Sequence, residues 1–265
     1  MDNRSKDLRR TVVDVIANDR RGHLGPAMSS IDILRVLYDS FLQFRPEDPA
    51  WKDRDRFILS KGHGCLSLYS VLADKGFFKK EELNNFCKFD SKFGGHPERG
   101  KIPGVEASTG ALGHGLPIAV GMALAAQIRN EQHRVVVLTG DGEINEGSIW
   151  EAALSASKHK LSNLMVFIDY NKLQSYGPNH EILNLEPLAD KWISFGFAVE
   201  EVDGHNINDL ESLLSRLPLE NDKPTAIICH TVKGKGFPFA EGNTEWHHKS
   251  KISDAELDEM YRCLC

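Results

Sequence analysis

The chain has 265 residues, 41% hydrophobic and 26% charged, with 22 glycines, a composition that folds around a core and excludes fibrous and disordered classes. A net charge of -6 argues against the clustered basic surface of a nucleic-acid binder. The start, Met1 to Arg10, is charged, the longest apolar run, Ile118 to Ala126, is too short to cross a bilayer, and five cysteines lack a CxxC pair; the expectation is a cytoplasmic, unanchored protein of one domain, residues 1–265.

Leu8, Val12, Val15 and Ile16 make an apolar stripe on a charged helix, which breaks at Gly22-His23-Leu24-Gly25-Pro26 and resumes from Ser29. After a polar stretch from Arg45 to Arg56, Phe57-Ile58-Leu59-Ser60 reads as a short strand ending in Lys61-Gly62-His63-Gly64. Residues 65–89 read as helical. Residues 90–117 are so rich in Gly, Pro, Ser and Thr that they predict a long loop, a length usually kept for function, and it holds His96 and His114.

Small residues between Leu116 and Asn130 predict a helix packed closely on a sheet, before a strand from Arg134 to Thr139 and then Gly140-Asp141-Gly142. A helix from Ser148 to His159, a strand from Leu164 to Tyr170 and a strand segment from Ala226 to Val232 continue the alternation. That pattern predicts an α/β fold, a mostly parallel sheet with helices on both faces and ligands beyond the carboxyl ends of the strands.

The most specific feature is the pair of strand ends carrying Asp141 and, 30 positions later, Asn171. Magnesium takes about six oxygen ligands, and a diphosphate supplies some of them. One Asp, one Asn and a backbone carbonyl therefore complete a reasonable shell. The flanking glycines let the main chain approach phosphates closely. A bare Gly-Asp-Gly is more often only a tight turn; the matching asparagine strand is what points to a metal site.

This pairing resembles the metal-and-diphosphate motif of thiamine-diphosphate enzymes. Gly22-His23-Leu24-Gly25, Ser60-Lys61-Gly62-His63, Gly94-Gly95-His96-Pro97-Glu98 and the segment from Ser108 to Gly115 are similar, in order and rough spacing, to motifs of the transketolase N-terminal domain. Trp246-His247 after Val232-Lys233-Gly234-Lys235-Gly236 is similar to its last motif, so the resemblance covers about residues 5 to 260.

The resemblance implies the thiamine-diphosphate-binding fold, with thiamine diphosphate and Mg2+ (or Ca2+ or Mn2+) as cofactors. Asp141, Asn171 and the carbonyl of Leu173 would hold the metal, with Gly142 and His63 near the diphosphate and Gly110 and Leu112 along the cofactor. His23 and His247 would face the donor sugar's C3 hydroxyl, His247 also bordering the cofactor, and His96 would meet the C1 hydroxyl. Glu146 and Glu151 match interface acids that link paired sites. Imidazole suits proton movement to and from sugar hydroxyls near neutral pH. His180, His205 and His248 read as plain surface residues. Two departures from the family pattern are His114, where a glutamine is common, and His248, where a small residue is common.

Full-length transketolases continue into a pyrimidine-binding domain that provides the glutamate activating the cofactor. Ile252 to Leu264 reads as a polar helix with Leu257 and Met260 on one face, so a separate C-terminal transketolase subunit, in an α2β2 assembly, is the expected partner; a longer chain cut short is the alternative. The implied reaction moves a two-carbon ketol unit from a ketose, phosphorylated or similarly anionic, to an aldose. A deoxyxylulose-phosphate-synthase-like or 2-oxo acid decarboxylating subunit shares the cofactor and fold, but Gly95-His96-Pro97-Glu98 favours transketolase. A non-catalytic interaction subunit is the reading from another class. No GxGxxG follows the first strand, which disfavours a dinucleotide enzyme.

Overall fold

An unbroken run such as Val135-Val136-Val137-Leu138 has no polar face to turn to water. In the computed structural model, which describes residues 1–265, such runs form the central strands, buried on both sides, of a wholly parallel sheet in which one edge strand alone carries exposed acids. Strands β1 (Arg56–Leu59), β2 (Val135–Gly140), β3 (Leu164–Tyr170), β4 (Ala198–Asp203) and β5 (Thr225–His230) pair in the order β1-β2-β3-β5-β4. Side chains alternate between two cores: Val136, Leu138, Met165 and Phe167 enter one, and Val135, Val137, Leu164, Val166 and Ile168 the other.

Helices α1 (Asn3–Asp19) and α2 (Leu24–Val36) precede β1, and α3 (Cys65–Asp74) and α4 (Gly115–Ile128) lie between β1 and β2. Helix α5 (Gly147–Lys158) links β2 to β3, α6 (Asn179–Ile182) and α7 (Leu188–Ser194) link β3 to β4, α8 (Ile207–Leu214) links β4 to β5, and α9 (Asp254–Cys263) follows β5. The first core is closed by α1, α2, α3, α8 and α9, and the second by α4, α5 and α7. The segment after β3 thus crosses one face and α8 returns on the other. This divergence opens a crevice at the carboxyl ends of β3 and β5. No helix is long and apolar enough to cross a membrane.

Two helices differ from their expected bounds by more than two residues. Helix α2 starts at Leu24 rather than Ser29, because Pro26 falls in its first turn, where no intrahelical N–H bond is required. Helix α3 ends at Asp74: Gly76 takes φ +83°, and only a 3-10 turn, Lys80–Asn85, follows. The expected helix Ile252–Leu264 forms as α9, with Leu257 and Met260 buried and a capping box between Ser253 and Glu256.

His205 is not the plain surface residue expected. Its Nε2 accepts from the Val232 N–H (2.9 Å), which leaves Nδ1 to donate to Asp32 Oδ2 (2.8 Å). Asp32 also takes a two-pronged pair from fully buried Arg9, at 2.8 and 2.7 Å. Burial would raise the Asp32 carboxyl, but Arg9 and His205 hold it well below the usual range. This buried network pins the chain just before Lys233.

Candidate active site

Gly140 stands opposite Asp169 in the β2–β3 register, which delivers Asp141 and Asn171 side by side beyond the sheet. Asp141 Oδ1 accepts from Gly142 N–H (2.7 Å) and Oδ2 from Lys172 N–H (2.5 Å), the residue next to Asn171. Asn171 Oδ1 accepts from Leu173 N–H (3.2 Å). The Leu173 carbonyl accepts from the Lys233 ammonium at 2.5 Å. The three oxygens expected to hold a metal are therefore gathered, and a cation already sits on one of them.

The charges around them explain why a divalent ion would fit. Burial, with Asp169 nearby, pushes the Asp141 carboxyl up to about 6, against the pull of two backbone N–H groups. Burial lowers the Lys233 ammonium to about 8, opposed by Asp141 and assisted by Lys61. A divalent cation relieves the carboxylate crowding that burial aggravates. No cluster of three His, Cys, Asp or Glu side chains exists to hold a metal. A bound diphosphate and water would suit the remaining ligand positions.

Beneath this surface Lys61 and Asp169 form an ion pair, and Asp169 also accepts from Ser29 Oγ (2.5 Å) and the Thr231 hydroxyl. Glu143 ties three motifs together: its carboxylate accepts from the Ser60 hydroxyl after β1, from Gly113 N–H (2.9 Å) before α4 and from Gly140 N–H (3.0 Å) ending β2. Gln174 Nε2 is buried without a partner, and its side chain lies against Gly142, where a Cβ would stand 2.9 Å from Gln174 Cγ. An unsatisfied donor and a cradle with no room for a Cβ suit an incoming phosphate oxygen.

A cavity of about 490 Å³ joins this floor to His23, His63, His96 and His247, with Gly110, Leu112 and Glu146 also on its walls. His63 and His247 stack at 5.4 Å between centroids, and His23 stands 5.6 Å from His63, 5.7 Å from His247 and 6.4 Å from His96. Burial first, then the neighbouring imidazoles and lysines, lower His23 to about 4 and His247 to about 3. Both are neutral at pH 7, and His247 Nδ1 is buried without a partner. Gly110 is required where it is: it takes φ +138°, and a Cβ would meet His96 Cδ2 at 2.9 Å.

Every expected site residue except Glu151 lines this cavity; Glu151 lies outside it on α5, exposed. Sequence reasoning misses Lys61, Glu143, Asp169, Gln174 and Lys233 as site residues, although Lys61 and Lys233 lie inside motifs it does identify. A buried lysine is the signal that could have found these two, but burial is not visible in a sequence. His248, expected on the surface, is exposed yet packs on His23 with centroids 4.5 Å apart.

Residues 2–264 match the family described as the transketolase, thiamine diphosphate binding domain. An apulose-4-phosphate transketolase subunit from Actinobacillus succinogenes is 44% identical over 255 residues, covering 96% of this chain and 92% of that protein. A 6-deoxy-6-sulfo-D-fructose transketolase subunit from a Clostridium species is 38% identical, with 95% of this chain and 94% of that one covered. Among solved structures, the transketolase of Campylobacter jejuni superposes with a TM-score of 0.92 at 31% identity; the match covers 99% of this chain but 42% of that one. The order of motifs, the parallel sheet and the gathered Asp141, Asn171 and Leu173 thus meet in one conclusion: this chain belongs to the transketolase family, as its thiamine-diphosphate-binding part.

Proposed function

We propose that the chain is the cofactor-anchoring subunit of a two-chain transketolase that moves a two-carbon ketol unit from an anionic ketose to an aldose. The observation that carries this reading is the meeting of three metal-competent oxygens, from Asp141, Asn171 and Leu173, with four imidazoles in one cavity.

Asp141, Asn171 and the Leu173 carbonyl hold a divalent ion, with magnesium favoured by the all-oxygen set; Gly142, His63 and Gln174 border the diphosphate, and Gly110 and Leu112 flank the rest of the cofactor. Thiamine diphosphate, when bound, supplies the carbanion chemistry for breaking and making a carbon–carbon bond beside a ketone. His23 and His247, kept neutral by burial, accept the proton of the donor's C3 hydroxyl and return it to the acceptor aldehyde oxygen. His96, exposed and 6.4 Å from His23, orients the C1 hydroxyl.

A C-terminal subunit completes each site, in an α2β2 assembly. Supporting this, α4 and α5 leave the large apolar side chains Ile118, Ile128 and Leu154 at 37%, 72% and 59% exposure, and Glu146 and Glu151 are exposed too. Two relatives are named for sugars bearing a phosphate and a sulfo group, which supports an anionic donor here. The test is to mix the chain with its C-terminal partner, thiamine diphosphate and Mg2+, and to follow two-carbon transfer between a panel of ketoses and aldoses. Carbon dioxide release from a 2-oxo acid with no ketose transfer would instead identify a decarboxylating subunit.

A further inference from the structure

Just outside the cavity, packed on His23, stands one imidazole that the transketolase reading leaves without a task. The backbone of Gly22 and that of Lys249 form a two-bond antiparallel bridge, N–H to carbonyl at 2.9 and 3.0 Å, and Ile252 N–H adds a bond to the Arg20 carbonyl at 2.8 Å. Positions 23 and 248 are the neighbours of the bridged pair, one on each side, so the bridge holds them close. The bridge thus brings the backbones of positions 23 and 248 together, and the two rings meet with centroids 4.5 Å apart. The next residue, Lys249, is held away: its ammonium bonds Glu256 (3.0 Å) and lies over the Trp246 ring.

His247 and His248 face different places. His247 lines the cavity, whereas His248 stands outside it, exposed, on the outer side of His23. A donor with its C3 hydroxyl at His23 and His247 must lead its remaining carbons outward past the rim of the cavity. Resting on the transketolase reading, we propose that His248 is a specificity-determining residue that hydrogen-bonds the hydroxylated carbons beyond C3, in the departing half of the donor. Because transfer runs through the same position in reverse, His248 also grips the acceptor aldose. On the donor, His248 meets only carbons beyond the bond that breaks, so its effect on the substrate is on binding. It also packs on His23 and helps burial keep that imidazole neutral, so kcat is compared above pH 7, where His23 is neutral with or without it.

The complex reconstituted with its C-terminal partner tests this through two donors: a long ketose phosphate, and a three-carbon ketol acid whose leaving group is only carbon dioxide. His248→Gly is expected to raise KM for the ketose, and for the aldose acceptor, three- to tenfold, the worth of about one hydrogen bond, with kcat within twofold. KM for the three-carbon donor stays unchanged, and His248→Asn, which keeps a donor group, recovers most of the loss. Equal losses with both donors, a fall confined to kcat, or no change with either overturns the role of His248. If the unsubstituted complex transfers from no ketose, the transketolase reading itself falls and this inference with it, a failure told apart because it appears before any substitution is made.

Discussion

Lys61 and Asp169 form an ion pair closed off from water, their side chains 1% and 0% exposed, one arriving after β1 and the other ending β3. Of the two, the Asp169 carboxylate acts on Asp141, helping burial to raise its carboxyl. Removing one partner leaves an uncompensated buried charge. Lys61→Met is expected to cost roughly 3–5 kcal/mol, measured by urea denaturation, and Lys61→Met with Asp169→Asn to recover part of that loss. A single variant as stable as the parent would show that water reaches Asp169.

Metal anchoring and proton transfer separate cleanly by residue. Asp141→Ala is expected to abolish metal-dependent binding of thiamine diphosphate in calorimetry, because it removes the only charged ligand. His23→Ala keeps the cofactor and lowers kcat by about 10² or more, the scale of a lost acid–base group. Retained cofactor affinity in the first variant would contradict the metal assignment.

Metal affinity should depend on pH through Asp141, whose carboxyl sits at about 6 in the metal-free chain. Only the ionised form ligates. Affinity is therefore flat above about pH 6 and falls roughly tenfold per pH unit below it, as protons compete with metal. Titrations at pH 5 and pH 7 check this, and equal affinities at both would mean that Asp141 is ionised throughout.

Stability of the metal-free chain also falls with pH, through the imidazoles. His23 and His247 sit at about 4 and about 3 in the folded chain, against about 6.5 unfolded, so the unfolded state takes up protons first as pH falls. Their contribution is present above pH 6.5 and is lost progressively as pH falls towards 4 and then 3. Asp141 works in the other sense, stabilising at low pH and losing that effect as pH rises through about 6. His247→Asn should flatten the decline in Tm between pH 6.5 and 4.5; an identical decline would place the acid sensitivity elsewhere.

Gly62 is held by a contact and not by its own φ. A Cβ there would lie 2.8 Å from the Thr109 carbonyl carbon and the Gly110 nitrogen, both backbone. Gly62→Ala should cost roughly 1–3 kcal/mol and weaken cofactor binding as the 109–110 loop is displaced. Gly76, with nothing within 4 Å of a Cβ, serves as the comparison for overpacking, its φ of +83° leaving only backbone strain.

What the sequence determined by itself is local or periodic. Apolar runs located β2 and β3, glycine-rich breaks located the loops, and Gly140-Asp141-Gly142 with Asn171 located the metal-competent strand ends, because alternation, turn chemistry and spacing are properties of neighbouring residues. Only the tertiary structure decided which polar side chains are shut away from water. Lys61, Asp169 and Glu143 read as ordinary charged residues until β1, β2 and β3 bring them together, and His205 reads as surface until Asp32 claims it, whereas His248 stays exposed and gains only the contact with His23. The reason is physical: burial and pairing arise between residues far apart in the chain, and the cost of burying a charge can be judged only once its partner is in place.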